Sequence, residues 1–432
     1  MSAGYAITTY KIQLNYKHLD WFKQTQSLFD DVLAFYYKLL EKQPEALSLS
    51  NQNLLRHLEL QTIKQRDGTS PETPLPFEKI PLYFRRAAIN AAISMYRSYM
   101  GKLKAWQEGP IKSGKPSPPK CLHMSMLYYK GMYKDFDEKS ILLKLYTGKA
   151  WAWVKHRYTG RPFPENTELM SPTIVIKKKK VMLHIPVKES VEDSRTAKER
   201  VQQNEKFVAV ALTGSDSLAV CTTIEADGRA TAPYFIKGGK ELAHRRKLLL
   251  GYIKRGIAGN DSPRLMTQPV GNAALSVPQE HRPNKKYYDK ITRLTDHYAH
   301  EVSRKIVDYA LKQGAKLIVL PELKESFDQA KKPYLGKSPY DFIGRRIARY
   351  VQYKSWQQGL VAMTSKPYYV STRCYHCDAL IAKHNTEYQN PSANFYGGKN
   401  FICKEGHRGS TALNSARNLG KGFYERFYAD VA

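Results

Sequence analysis

The chain has 432 residues, enough for two or three domains. Its 69 Lys and Arg against 39 Asp and Glu leave a formal net charge of +30, and so lopsided a balance points to a polyanionic partner. No stretch approaches the apolar length of a membrane span and Met1 to Tyr10 lacks the apolar run of a signal peptide, which favours nucleic acid over lipid and a cytoplasmic location. Residues 5–15 alternate and are rich in β-formers, predicting a strand. From Asp20 to about Lys42, Leu28, Val32, Leu33, Tyr36, Leu39 and Leu40 share a helical face. A loop is expected at 65–76, where Gly and three Pro residues cluster. A second helix is expected at 78–106, with Ile89, Ala92, Ile93 and Tyr96 inward and Arg85, Arg86 and Arg97 outside.

The Pro-, Gly- and Lys-rich stretch 108–120 reads as an exposed linker. Strands follow from about 140 to 187, the clearest being 173–176 and 181–187, joined by Lys177 to Lys180. Those four lysines fit a phosphate grip and a merely solvated turn equally well. A charged, helical linker is expected at 188–206. The continuous apolar run 207–214 then suggests a buried strand, with a hairpin partner at 218–224. The segment 236–255 is very basic, and 257–286 reads as flexible. A helix at 287–314, a buried strand at 316–323, a helix at 341–358 and a strand at 361–365 complete an alternation that argues an α/β sheet in the C-terminal half.

Five cysteines are too few and too uneven for a disulfide scaffold. Cys374 and Cys377 enclose two residues, Cys403 and His407 three, and the two pairs stand some twenty-five residues apart. That spacing suits a closed, structural Cys3His zinc site, because four protein ligands leave no position for water. His376 reads as a bystander and His384 as the substitute fourth ligand.

The run Y-Y-V-S-T-R-C-Y-H-C (368–377) resembles the opening of the zinc ribbon in TnpB proteins and compact type V CRISPR effectors. L-N-S-A-R-N-L (413–419) is similar to their Asn-Ala-Ala-Arg-Asn-Ile helix, A-H-E-V-S-R-K-I-V-D-Y-A (299–310) to their pre-strand helix, and L-Y-F-R-R-A-A-I-N-A-A (82–92) to a helix of their recognition lobe. The resemblance implies an α+β multidomain chain. A wedge β-barrel with inserted recognition helices would occupy 1–190 and a linker 191–206. A RuvC-like, RNase H-type domain would occupy 207–365 and 411–432, with the zinc ribbon inserted at 366–410. It also implies a guide RNA and a target double-stranded DNA as partners, with base pairing reading the sequence. A transposition or transcription protein is a further implied partner. Contacts to nucleic acid are expected from Arg85, Arg86, Arg97, Arg245, Arg246, Lys247, Arg304 and Lys305.

RuvC-type hydrolysis needs acids from three separated elements to hold two divalent metals. In the family the first strand ends Gly-Ile-Asp-Leu-Gly, and this chain has V-A-L-T-G, placing Leu212 at the Asp. Pro321 stands at the second acid and Ala412 at the third. The expectation is therefore a chain that is no enzyme, holds no catalytic Mg2+, and binds DNA without cutting it, for repression or recruitment. The alternatives are a nuclease with rearranged acids such as Asp216 and Glu322, and an RNA-binding accessory of a transposon.

Overall fold

The computed structural model describes residues 4–64, 68–109, 114–165, 167–177, 179–214, 216–258, 284–323, 343–366, 369–386, 389–393, 395 and 398–428. Most of the stretch expected to be flexible, 257–286, lies outside these residues, as do Lys178 and parts of 65–76 and 108–120. The chain divides into two compact units, Ile7–Glu189 and Met1–Ala6 with Ser190–Ala432.

In the first unit, strand β1 (Tyr5–Asn15) alternates as its sequence does, burying Tyr10, Ile12 and Leu14 on one face. Strands β2 (Met126–Leu127), β3 (Tyr133–Lys134), β4 (Ser140–Tyr146), β5 (Trp151–Thr159), β6 (Glu168–Leu169), β7 (Thr173–Lys177) and β8 (Lys180–Ser190) complete an eight-stranded sheet. Its order is β2-β7-β8-β1-β5-β4-β3, with β6 paired to β8. The 173–176 and 181–187 segments pair as predicted, Ile174 facing Leu183 and Ile176 facing Val181.

Three helices share the sheet's core: α1 (Leu19–Lys42), α2 (Asn51–Thr62) and α3 (Leu82–Glu108). Edge-on ring pairs Phe29–Phe84 and Tyr37–Tyr96, each at 5.4 Å, bind α1 to α3, a geometry that favours rings beyond their simple burial. Helix α2 has no counterpart in the sequence reading, although Ser50 caps it by accepting a hydrogen bond from the Asn53 N–H.

In the second unit, β9 (Phe207–Leu212), β10 (Ser217–Ile224), β11 (Ala230–Lys237), β12 (Leu317–Pro321) and β13 (Val361–Ser365) form a five-stranded sheet in the order β11-β10-β9-β12-β13. Strands β9, β12 and β13 run parallel, while β10 pairs antiparallel with both neighbours. Residues on β9 and β12 divide between two cores. Val208, Val210, Ile318 and Leu320 pack with α6 (Lys285–Lys312) and α7 (Gly344–Gln357), whereas Phe207, Ala209, Leu317 and Val319 pack with α8 (Thr411–Phe427). Helix α8 approaches closely because Gly420 has no side chain; a Cβ there would meet Ile224 at 2.6 Å and Ala209 at 3.0 Å. Helix α5 (Gly239–Ala258) carries the basic segment.

The stretch 191–206 does not behave as a linker. It contains α4 (Ala197–Gln202), opened by a capping box of Thr196 and Glu199. Its Arg200 is wholly buried and donates to the backbone carbonyls of Asp193, Arg195, Lys316 and Gly359. Charge misled the sequence reading here, because an arginine surrounded by carbonyls is as much a core residue as a leucine.

A small antiparallel sheet, β14 (Ile381–His384), β15 (Asn400–Cys403) and β16 (Arg408–Ser410), precedes α8.

Candidate metal centre and nucleic-acid interface

The four predicted ligands come together. One donor atom from each of Cys374, Cys377, Cys403 and His407 lies within 4.8 Å of the others. Cys377 Sγ and Cys403 Sγ are 3.6 Å apart, and Cys403 Sγ is 3.4 Å from His407 Nδ1. A tetrahedron of thiolates 2.3 Å from zinc has edges of about 3.8 Å, so the donor set fits that ion. Tight turns carry both pairs: Asp378 donates its N–H to the Cys374 carbonyl, and Gly406, at φ 80°, donates to that of Cys403. Burial pushes the Cys403 thiol up, but its hydrogen bonds with His407 and Cys377 outweigh this and hold it down to about 7. His376 stays outside the cluster, its ring stacked on His407 at 5.1 Å. His384 is also outside, with Nδ1 3.0 Å from the Thr386 carbonyl.

The conspicuous asparagines of L-N-S-A-R-N-L hold this knuckle. Asn414, 3% exposed, accepts from the Tyr375 N–H and donates to the Arg373 carbonyl, which Asn418 also reaches. Arg417 lies over the Tyr375 ring at 5.6 Å. Asn414→Ala strands the Tyr375 N–H and leaves the Arg373 carbonyl to Asn418 alone, and should lower stability by about 1–2 kcal/mol in a denaturant titration. Asn414→Asp keeps the acceptor, so it should lose less.

The three positions aligned with nuclease acids are less uniform than the alignment implies. Pro321 ends β12 in register with Ser365, and alternation puts it on the face of Leu317 and Val319, toward α8. Ala412 opens α8. Leu212, by contrast, packs with Val208 and Val210 on the opposite face, so Ala211 and Thr213 are the β9-end residues on the α8 side. A cleft of about 530 Å3 lies between the β9–β10 turn and the start of α8, with Thr213, Asp216, Phe235, Lys399, Thr411 and Ala412 in its wall. Asp216 meets Lys399 at 3.1 Å and Lys240 at 3.4 Å, and the Lys399 hydrogen bond, joined by the charge of Lys240, holds its carboxyl below the usual range. Glu322 does not line this cleft; its N–H pairs with the Ser365 carbonyl. Among the described residues the cleft wall offers one carboxylate, already held by two lysines. That set does not fit a two-metal site, which requires oxygen ligands from several residues.

The expected nucleic-acid contacts fare unevenly. Arg85 and Arg86 are not free on the outside of α3. Both bind Glu59, Arg86 through a forked pair at 2.9–3.1 Å, and the Arg85 side chain is 13% exposed. Arg97 donates to Asn51 and to the carbonyls of Leu47 and Leu49. On α5, Arg246 is buried, Arg245 pairs with Glu241 at 2.6 Å, and Lys247 is exposed. On α6, Arg304 pairs with Asp308 at 3.8 Å and Lys305 with Glu301 at 2.6 Å. Arg85 and Arg246 are therefore among the least exposed of the eight in the free chain. Local pairing explains the difference: a Glu one turn away, or on a neighbouring helix, takes the cation before any partner arrives. Sequence alone does not pair Lys240 with Lys399, since Lys399 lies 183 residues from Asp216 and meets it only when the chain folds.

The two-unit α/β architecture and the Cys3His cluster define a class, and comparison with known proteins defines it further. A family model described as the Aq_aa04 family matches residues 6–147. The CRISPR-associated endodeoxyribonuclease Cas12f1 of Sulfoacidibacillus thermotolerans is 28% identical over 139 residues, 32% of this chain and 29% of that protein. The match therefore spans under a third of that relative. Among solved structures, a Cas12f1–sgRNA–target DNA complex aligns over 94% of this chain and 83% of its own at 15% identity, with a TM-score of 0.57. The mini-RNA-guided endonuclease CRISPR-Cas_phi3 aligns over 96% and 93% at 10% identity, with a TM-score of 0.50. The chain thus resembles Cas12f1 over part of its length and shares the fold of these solved type V CRISPR structures. The endodeoxyribonuclease name of the relative corrects the expectation that the chain is no enzyme: the family points to nuclease activity. Leu212 carries no weight in that expectation, for a residue on the far face of the sheet says nothing about the site. Among the described residues no helix is long and apolar enough to cross a membrane.

Proposed function

We propose that this chain is an RNA-guided DNA-binding protein. On this reading Ile7–Glu189 is the wedge and recognition part and the second unit a RuvC-like domain, with the Cys3His knuckle as a structural zinc ribbon. A guide RNA and a target double-stranded DNA are its partners. The observation that carries the reading is the likeness over nearly the whole chain to a Cas12f1 bound to a single-guide RNA and target DNA. The net charge of +30 supports it, because guide and target are both polyanions. Bound at a promoter, the complex would repress transcription or recruit a transposition or transcription protein.

The test is to express the protein with its native flanking DNA and sequence the RNA that copurifies. A single structured RNA from the neighbouring locus is the expected result; random cellular RNA, or none, overturns the reading. A second reading, DNA cleavage, is favoured by the endonuclease name of the relative. It expects cutting of guide-matched DNA in a buffer containing Mg2+, lost in Asp216→Ala; cutting that survives this change would assign the chemistry elsewhere.

A further inference from the structure

The cleft beside Asp216 is also a meeting point of two lysines and an exposed ring. Two ammonium groups from distant parts of the chain, Lys240 at the start of α5 and Lys399 before β15, converge on one carboxylate. Both Lys399 backbone groups are held: its N–H donates to Asn385 Oδ1 at 3.2 Å and its carbonyl accepts from the Thr411 N–H at 2.9 Å. The local sum is two positive charges against one negative, a surplus of one. The Thr411 hydroxyl, in the cleft wall, has no hydrogen-bond partner among the described residues. Phe235, on the edge strand β11, lines the same cleft and is 39% exposed, so its ring is open to solvent there. An unpaired base offers a face for such a ring, and the phosphodiester attached to it carries the single negative charge that the lysines lack.

We propose that this cleft takes one nucleotide of a single strand through direct contacts: its phosphodiester on Lys240 and Lys399, its base on Phe235. Asp216 is then a built-in counterion that keeps the two lysines converged in the free protein and yields them to the incoming phosphate. The inference rests on the chain being a nucleic-acid binder and adds how one strand is held. No covalent step is involved.

The full chain is titrated with a labelled, 5-bromodeoxyuridine-substituted oligothymidylate in EDTA, so that no bridging cation contributes, over a range of salt. Irradiation then maps the crosslinked peptide by mass spectrometry. Crosslinking to the peptide containing Phe235 is expected. Lys399→Ala should weaken binding and reduce the slope of log affinity against log salt by about 0.7, the value for one lost phosphate contact on a single strand. Lys240→Ala, at a side chain 77% exposed and so harmless to folding, should do the same. Asp216→Asn should strengthen binding, because the lysines lose their internal competitor. Weaker binding by Asp216→Asn, binding that appears only when Mg2+ replaces EDTA, or crosslinks confined to other peptides with an unchanged Lys399→Ala slope, would each overturn the proposal. The assay needs no guide, so failure to recover a single structured RNA would leave its outcome unaffected, and the two readings fail separately.

Discussion

Cys403→Ser should release the metal and unfold the knuckle while leaving the five-stranded sheet intact. Cys403 is 6% exposed and sits at the centre of the ligand set, within 3.6 Å of Cys377 Sγ and 3.4 Å of His407 Nδ1. The small sheet β14-β15-β16 has a core of only Cys374, Ile381, Phe401 and Cys403 among its buried residues. Four such residues make a core too small to hold the knuckle by burial alone. On the reading proposed above zinc would add to it, structural sites being worth about 10–16 kcal/mol in isolated zinc-binding peptides near neutral pH. Metal analysis of the purified protein is the direct check: a single zinc per chain in the wild type, none in Cys403→Ser. Limited proteolysis should then cut between residues 369 and 410. His376→Ala is the control and should keep the ion, since that ring only stacks on His407. A wild-type protein free of zinc and resistant to chelators would refute the assignment.

The second large effect belongs to a residue that composition alone would place on the surface. Arg200→Met removes four hydrogen bonds, to the carbonyls of Asp193, Arg195, Lys316 and Gly359, at a wholly buried point, and among the described residues only the Lys316 carbonyl keeps another donor, the Val361 N–H. It also leaves Asp193, 3.3 Å away, with Arg195 alone as counterion. Losing one partner of a buried charged network costs about 3–5 kcal/mol, and denaturant unfolding of the variant should show a loss of that order. Arg200→Lys should rescue little, because a single ammonium cannot span carbonyls arriving from three directions. The same network makes an acid-limb prediction. Its hydrogen bond from Arg195, helped by the Arg200 charge, lowers the Asp193 carboxyl to about 2. A folded value below the unfolded one, about 3.9, means stability that is complete above that pH and is lost as pH falls toward 2. Asp193→Asn should flatten this acid limb.

Much of the architecture was legible in local pattern. Alternation in β1 and helical spacing in α1, α3 and α6 marked those elements because periodicity follows from backbone geometry and needs no knowledge of neighbours. The metal ligands were legible for a similar reason: two short pairs constrain their own turns, and a thiolate set has few other uses. Helix α2 went unread despite its Ser50 cap, and α4 passed for a linker because its charges resembled those of a solvated tether. Family motifs extended the reading to the class of protein, a level that composition could reach only as a preference for polyanions.

What the sequence determined by itself, then, was the identity of most strands and helices, the four clustered ligands and the kinship to type V effectors. Only the tertiary structure decided which face of β9 carries Leu212, that Glu59 occupies Arg85 and Arg86, and that Asp216 sits between Lys240 and Lys399. The physical reason is the range of the interaction. Periodicity and ligand spacing are written within a few residues, whereas the pairing of a charge is settled by whichever opposite charge the fold brings within about 4 Å, however far along the chain it lies.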